Sequence, residues 1–175
     1  MNFNFFLSLF RDFTLTWDLG LVVFLFFVAF FFGLSLGRKK LVLLLLTIYL
    51  GIALIRLVPF MENITRAMSD GQKFAFHVGI FGGMIFLLFL FLSGSAIQSA
   101  LRIPTREEGP WWHVIFLSFG TVGLLFSSVL AMMPPSYYNK VSLLTQKLFL
   151  FHGAQFFWAL VGIFILVLLR KGAEK

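Results

Sequence analysis

Long apolar runs without a charge constrain this chain more than any other feature of its sequence. Residues 19–37 hold no charged side chain and end at Arg38-Lys39-Lys40, and residues 41–60 follow with Arg56 as their single charge. A helix of about 20 apolar residues matches the thickness of the bilayer's hydrocarbon core. Phe alone supplies 26 of the 175 residues, more apolar surface than one small core could hide from water. The sequence therefore predicts an integral membrane protein.

The same criterion gives five spans within one transmembrane domain over residues 1–175. Charges or prolines bound each span, as at Pro134-Pro135, which cannot continue a helix with its hydrogen bonds intact. The predicted spans are residues 19–37, 41–60, 74–95, 111–133 and 148–169. Before them, residues 3–10 carry Phe and Leu at helical spacing and predict an interfacial helix rather than a cleaved signal peptide. The predicted fold is all-α: a polytopic integral membrane helix bundle with about five transmembrane helices and an N-terminal interfacial helix.

The charges predict an orientation. The chain has 14 Lys and Arg against 7 Asp and Glu, and most basic residues lie between the apolar runs, where they meet lipid headgroups rather than nucleic acid. Eight of the 14 fall on the side that holds the 38–40 turn, the 102–110 loop and the C-terminal tail. Because short basic segments tend to stay cytoplasmic, the sequence predicts an external N-terminus and a cytoplasmic C-terminus.

Three polar residues form the candidate functional cluster. His77 and His152 lie a few residues inside the third and fifth spans, and Arg56 lies near the end of the second, so all three reach one membrane face at similar depth. A histidine pair across two helices could ligate haem or a metal. The alternative is that the histidines are interfacial side chains and that Arg56 extends its guanidinium to the headgroups. No catalytic residue, metal ligand set or cofactor is predicted.

Glycines at helical spacing predict helix packing. They lie three or four residues apart, which brings bare backbone to one helix face and allows a neighbouring helix to approach closely. The predicted packing residues are Gly33, Gly37, Gly79, Gly83, Gly120 and Gly123. The pattern favours a packed bundle whose partners are the lipid bilayer and either a second copy (a homo-oligomer) or another membrane protein.

The front of the chain also resembles a known family. Asp18-Leu19, the segment Gly33-Leu34-Ser35-Leu36-Gly37-Arg38 and the second apolar run to Pro59 are similar to the start of the colicin V production (CvpA-like) membrane proteins. Gly120-Thr121-Val122-Gly123 is similar to a later span of that family. The resemblance covers mainly residues 18–60, and the fifth span departs from it. It implies a bacterial inner-membrane protein linked to secretion or envelope homeostasis, and no catalytic residues come with it.

Three functions remain open at the level of the sequence. The first is a non-enzymatic membrane protein, a scaffold or accessory subunit in envelope or secretion processes, which fits the absence of enzyme motifs and of carboxylates inside the spans. The second is a small transporter or channel subunit. Its polar path would be lined by Arg56, Gln98, Gln155, Ser127 and Ser128. The third is a b-type haem redox subunit that uses His77 and His152.

Overall fold

Helices make up the architecture of this chain. A computed structural model describes residues 17–36, 38–59, 61–94, 112–151 and 153–171, and no strand occurs among them. In chain order the elements are α1 (Trp17–Leu36), α2 (Arg38–Leu57), α3 (Met61–Thr65), α4 (Asp70–Ser93), α5 (Trp112–Leu130), a 3₁₀ helix (Pro135–Lys140), α6 (Leu143–Phe149) and α7 (Ala154–Lys171). The predicted all-α class is confirmed for these residues. The interfacial helix predicted within residues 1–16 lies outside them.

Three helices are long and apolar enough to cross a membrane. They are α2 from Lys39 to Leu57, α4 and α5, and they correspond to the second, third and fourth predicted spans. A helix suits this environment because its backbone N–H and C=O groups pair within the segment and need no water. The prediction of a membrane protein is confirmed at this level. In the first and fifth predicted spans lie α1, with 20 residues, and α7, whose apolar part is the shorter stretch Ala154–Leu168.

The start of α4 is set by a local hydrogen bond. The helix begins at Asp70, before the predicted start of the span at Phe74. The Gln72 side-chain oxygen accepts a hydrogen bond from the Ser69 backbone N–H at 3.0 Å, the reach-back half of a capping box. Polar residues therefore form the first turn of this helix.

The start of α7 is set by a glycine. The fifth span was predicted from Leu148, but α7 begins at Ala154. Gly153 has a φ of +98°, a left-handed conformation that glycine adopts readily and that interrupts a right-handed helix. Leu148 and Phe149, which the predicted span included, belong to α6, whose start is capped by a hydrogen bond from the Thr145 N–H to the Ser142 hydroxyl at 3.3 Å.

The bundle is arranged around α5. This helix packs against α1, α2, α6 and α7, and 67% of its membrane-spanning window is buried inside the protein. In contrast, α4 is peripheral: its main neighbour is α2, and 11% of its window is buried. The outward faces carry large apolar side chains such as Phe86 and Phe91, which suits a surface whose solvent is lipid.

The core lies where α2, α5 and α7 meet, and two aromatic side chains tie it together. Tyr49 of α2 donates a short hydrogen bond to the Ala159 carbonyl of α7, and its hydroxyl lies against the backbone of Gly162. Trp158 of α7 donates its indole N–H to the Leu148 carbonyl at 3.1 Å. Both rings therefore bury their apolar atoms while their polar atoms remain paired.

Two glycines allow α5 and α7 to approach each other. A Cβ atom at Gly123 would overlap the six-membered ring of Trp158. One turn earlier, a Cβ atom at Gly120 would lie 2.7 Å from Ile165 Cδ1. Since apolar burial does not drive helices together in lipid, van der Waals contact of this kind is a main source of their association.

Gly123→Ala should lower the thermal unfolding temperature of the purified protein in detergent. The added methyl group overlaps the Trp158 ring, and such overpacking costs about 1–3 kcal/mol of unfolding free energy. The matched control is Gly20→Ala in α1, where an added Cβ would meet nothing within 4 Å. An unfolding temperature of the Gly123→Ala protein at or above that of the control would contradict the described contact between α5 and α7.

Candidate functional site

A chain of polar side chains joins α2, α7 and α5 at one end of the bundle. The Arg56 guanidinium donates from Nη2 to Gln155 Oε1 at 2.7 Å, and Gln155 Nε2 donates to Ser128 Oγ at 3.4 Å. The Ser128 hydroxyl donates in turn to the Leu124 carbonyl at 2.6 Å. We name Arg56, Gln155 and Ser128 the polar junction.

The ends of three helices bring the polar junction together. Arg56 lies in the last turn of α2, Gln155 in the first turn of α7, and Ser128 in the last turn of α5. Arg56 is exposed, so its charge keeps access to water and headgroups while one N–H bonds to a neutral amide oxygen. The two sequence alternatives for Arg56 are therefore not exclusive, because an exposed guanidinium here also bonds across helices.

Buried hydroxyls in α5 differ in whether they find a partner. Thr121 donates to the carbonyl four residues earlier at 2.7 Å, as Thr47 does in α2. The hydroxyls of Ser118 and Ser127 are wholly buried and have no hydrogen-bond partner within the part of the chain that the structure describes. Leaving a buried polar group without a partner costs about 1–3 kcal/mol. Ser127 thus lies beside the polar junction without joining it.

His77 is half-buried and bonds to its own helix. Its Nδ1 lies 2.7 Å from the Lys73 carbonyl oxygen, a contact that orients the ring. His77 belongs to α4, which packs against α2 on the side where Gly51 lies. Tyr49, which contacts α7, lies on nearly the opposite side of α2. Arg56 lies two turns after Tyr49 and bonds to α7. The described hydrogen bonds of Arg56 and His77 thus go to different helices, α7 and α4, and a functional cluster of the two stays a prediction.

The remaining predicted site residues fall partly outside the part of the chain that the structure describes. His152, Gly37 and Gln98 lie outside the described residues, so a pairing of His77 with His152 stays a prediction. Gly33 lies in α1. Across residues 17–36, 38–59, 61–94, 112–151 and 153–171, no group of three or more His, Cys, Asp or Glu side chains could hold a metal ion.

One helix face carries exposed glycines. A Cβ atom added at Gly79, Gly82 or Gly83 of α4 would meet nothing within 4 Å. We name these three residues the glycine face. The side of α4 that contacts α2 is marked by Phe81 and Ile85, and helical geometry places Gly79 and Gly83 nearly opposite it and Gly82 at its flank.

The polar junction was only partly foreseen in the sequence. Arg56 was singled out, whereas Gln155 and Ser128 entered only as members of a transport path. The sequence did indicate that Arg56 and Gln155 lie at similar depth in the membrane, because Arg56 ends one predicted span and Gln155 begins another at the same membrane face. The sequence does not show which side of each helix faces its neighbour. That depends on packing between segments far apart in the chain, and Arg56 and Gln155 are 99 residues apart.

Comparison of the chain with protein-family models, with curated proteins and with solved structures found no match. The resemblance to colicin V production proteins therefore stays a prediction. The case for a function rests on the residues of this chain.

Ser128→Ala is expected to lower the free energy of unfolding by about 1 kcal/mol, because the substitution removes hydrogen bonds to Gln155 and Leu124. Ser127→Ala is the matched control on the neighbouring residue. It should be neutral or stabilising, since it removes a buried hydroxyl that has no partner among the described residues. Unfolding in mixed micelles, titrated with SDS and followed by tryptophan fluorescence, measures both. Equal losses for the two variants would show that the polar junction does not stabilise the bundle.

Proposed function

We propose that this protein is a non-enzymatic scaffold or accessory subunit that associates with another transmembrane helix through the glycine face of α4. The observation that carries the proposal is the open surface at Gly79, Gly82 and Gly83 on a helix whose main neighbour is α2. Small residues spaced in this way let two helix backbones approach closely in a membrane. The partner is a second copy or a different membrane protein.

Glycines elsewhere in the bundle support this role by contrast. Gly123 accommodates the Trp158 ring, and Gly162 accommodates the Tyr49 hydroxyl, so each lies beneath a side chain of another helix. The three residues of the glycine face have no such cover from the described residues. Acyl chains pack equally well against larger side chains, so contact with lipid alone does not require glycine at these positions. A partner helix does require it, because only glycine lets the two backbones approach closely.

The polar junction favours association over transport. A chain of hydrogen bonds from Arg56 through Gln155 to Ser128 links three helices, so these polar groups are engaged with one another and hold the helices together. A bundle whose helices are linked by hydrogen bonds, with one peripheral helix, suits a rigid subunit that offers this helix as a docking surface. The setting in envelope or secretion processes is part of the proposal and rests on the resemblance of residues 18–60.

The proposal includes five spans in a bacterial inner membrane. At a rise of about 1.5 Å per residue, the 20 residues of α1 match the hydrocarbon thickness, and α7 follows with 18. Five alternating crossings place the 3₁₀ helix outside and the end of α7 in the cytoplasm.

Labelling of single cysteines tests this topology, because the chain has no cysteine of its own. A membrane-impermeant maleimide should label Asn139→Cys, an exposed position in the 3₁₀ helix, in intact cells. It should label Lys171→Cys, at the end of α7, only after permeabilisation. Labelling of both positions from the same side would show that α7 does not cross, and the reversed pattern would overturn the orientation alone.

Photocrosslinking from the glycine face tests the association. A photoreactive maleimide is attached to a Gly82→Cys variant, whose new side chain has open space, and the membranes are illuminated. We expect a protein adduct that is heavier than the 20.0 kDa chain. Adding Gly79→Leu and Gly83→Leu should reduce its yield about five- to thirty-fold, the effect of losing about 1–2 kcal/mol of helix packing. The matched control adds Leu168→Phe, an enlargement at an exposed apolar position of α7, away from the glycine face.

The adduct also identifies the class of partner. An adduct of twice the chain's mass in vesicles of purified protein indicates a second copy, and one seen only in cell membranes indicates a different protein. Both results support the proposal. Adducts with lipid alone in both preparations, or equal yields from the leucine variants and the control, would overturn it.

A further inference from the structure

The 3₁₀ helix between α5 and α6 contacts the first turn of α4. The Ser136 hydroxyl donates to Asp70 Oδ2 at 3.3 Å, a bond between residues 66 positions apart in the chain. Next to this bond, the Tyr137 hydroxyl lies against Gly71, where an added Cβ atom would be 2.9 Å from that oxygen. We name Ser136 and Tyr137 the strap, because they link the segment after α5 to the peripheral helix α4.

Contacts within its own segment hold the strap in place. The Lys140 ammonium lies over the Tyr137 ring, 4.6 Å from its centroid, and this cation–π contact orients the ring. Gln146 of α6 donates from Nε2 to the carbonyls of Tyr138 and Val141, each at 2.8 Å. The strap is therefore anchored to α6 and can act as a fixed support for α4.

The orientation of α4 about its own axis needs such a support. Its main neighbour is α2, and 11% of its membrane-spanning window is buried. Since lipid solvates all sides of an apolar helix about equally well, burial does not decide which side faces outward. Rotation by about a quarter turn would bring Gly82 to face α2 and would carry Gly79 and Gly83 to the flank. Because Gly51 of α2 also lies at that contact, the two backbones could approach closely there, and this packing competes with the observed one.

The strap holds α4 close to the side that faces α2. Phe81 and Ile85 mark that side, and helical geometry places Asp70 to one side of it and Gly71 to the other. The two strap contacts therefore oppose rotation in either direction. They act at the first turn, about 12 Å along the axis from Gly79, so they orient the glycine face without touching it.

We propose that the strap sets the rotation of α4 and thereby keeps the glycine face available to a partner helix. This inference rests on the association proposed for that face, and it makes Ser136 and Tyr137 positioning residues for the association. With the strap in place, Gly79 and Gly83 point away from α2. Without it, α4 turns its glycines toward α2, and the partner loses the surface to which it binds.

Removal of the strap from the full chain tests this inference. Ser136→Ala combined with Tyr137→Ala deletes both contacts and leaves α4 itself unchanged. With the photoreactive maleimide on Gly82→Cys, we expect the yield of the protein adduct to fall about fivefold, since a partner binds only the fraction of chains whose glycines face outward. With the same reagent on Gly79→Cys, we expect an internal cross-link to α2 to increase, as mass spectrometry of the digested chain would show.

The matched control combines Tyr138→Ala with Asn139→Ala, in the same 3₁₀ helix, because these side chains form no hydrogen bond within the described part of the chain. Both of its yields should equal those of the parent.

Thermal unfolding checks that the variants fold. If the strap variant does not fold, Gly71→Val, which displaces the Tyr137 hydroxyl, takes its place, with Gly20→Val as its control. A parent without any protein adduct would contradict the association alone, and the internal cross-link would then decide the role of the strap. Equal internal cross-linking in the strap variant and its control would overturn this inference.

Discussion

The absence of water from the hydrocarbon core is the constraint on which the rest of this structure depends. Without water, each backbone polar group must pair inside its own segment, which makes helices the only elements that α2, α4 and α5 can form there. The same constraint acts on side chains. Thr47 and Thr121 donate to their own helices, whereas Tyr49 donates to the backbone of a neighbouring helix and so becomes a tie between two of them.

Lipid also removes the force that assembles a soluble core, since apolar side chains are as well solvated by acyl chains as by each other. Helix association then depends on how closely the helices pack against each other. The Trp158 ring over Gly123 and the Tyr49 hydroxyl over Gly162 are contacts that lipid could not reproduce, and they account for the depth to which α5 and α7 are packed. On this basis Gly79, Gly82 and Gly83 of α4 differ from Gly123 and Gly162, because no side chain among the described residues covers them.

The apolar runs were sufficient to place most helices, because length and hydropathy decide what can cross a bilayer. They were insufficient at α6, where Phe149 and Phe151 continue an apolar run across a backbone that Gly153 interrupts. The composition of a segment shows whether it is soluble in lipid, but it does not show the conformation of its backbone. Among the site residues, Arg56 was found by its unusual charge, but its bond to Gln155 depends on the facing of two distant helices, and a single sequence holds no measure of that.

The central position of α5 has a consequence for how the protein is made. In the chain α5 follows α1, α2 and α4 and precedes α7. In the structure it packs against α1, α2 and α7. During synthesis α1 can pair with α2, and α2 with α4, as soon as each is made, but the packing of α1 and α2 is completed only by a helix that ends at residue 130. Closure of the bundle therefore has to wait until about three quarters of the chain exist.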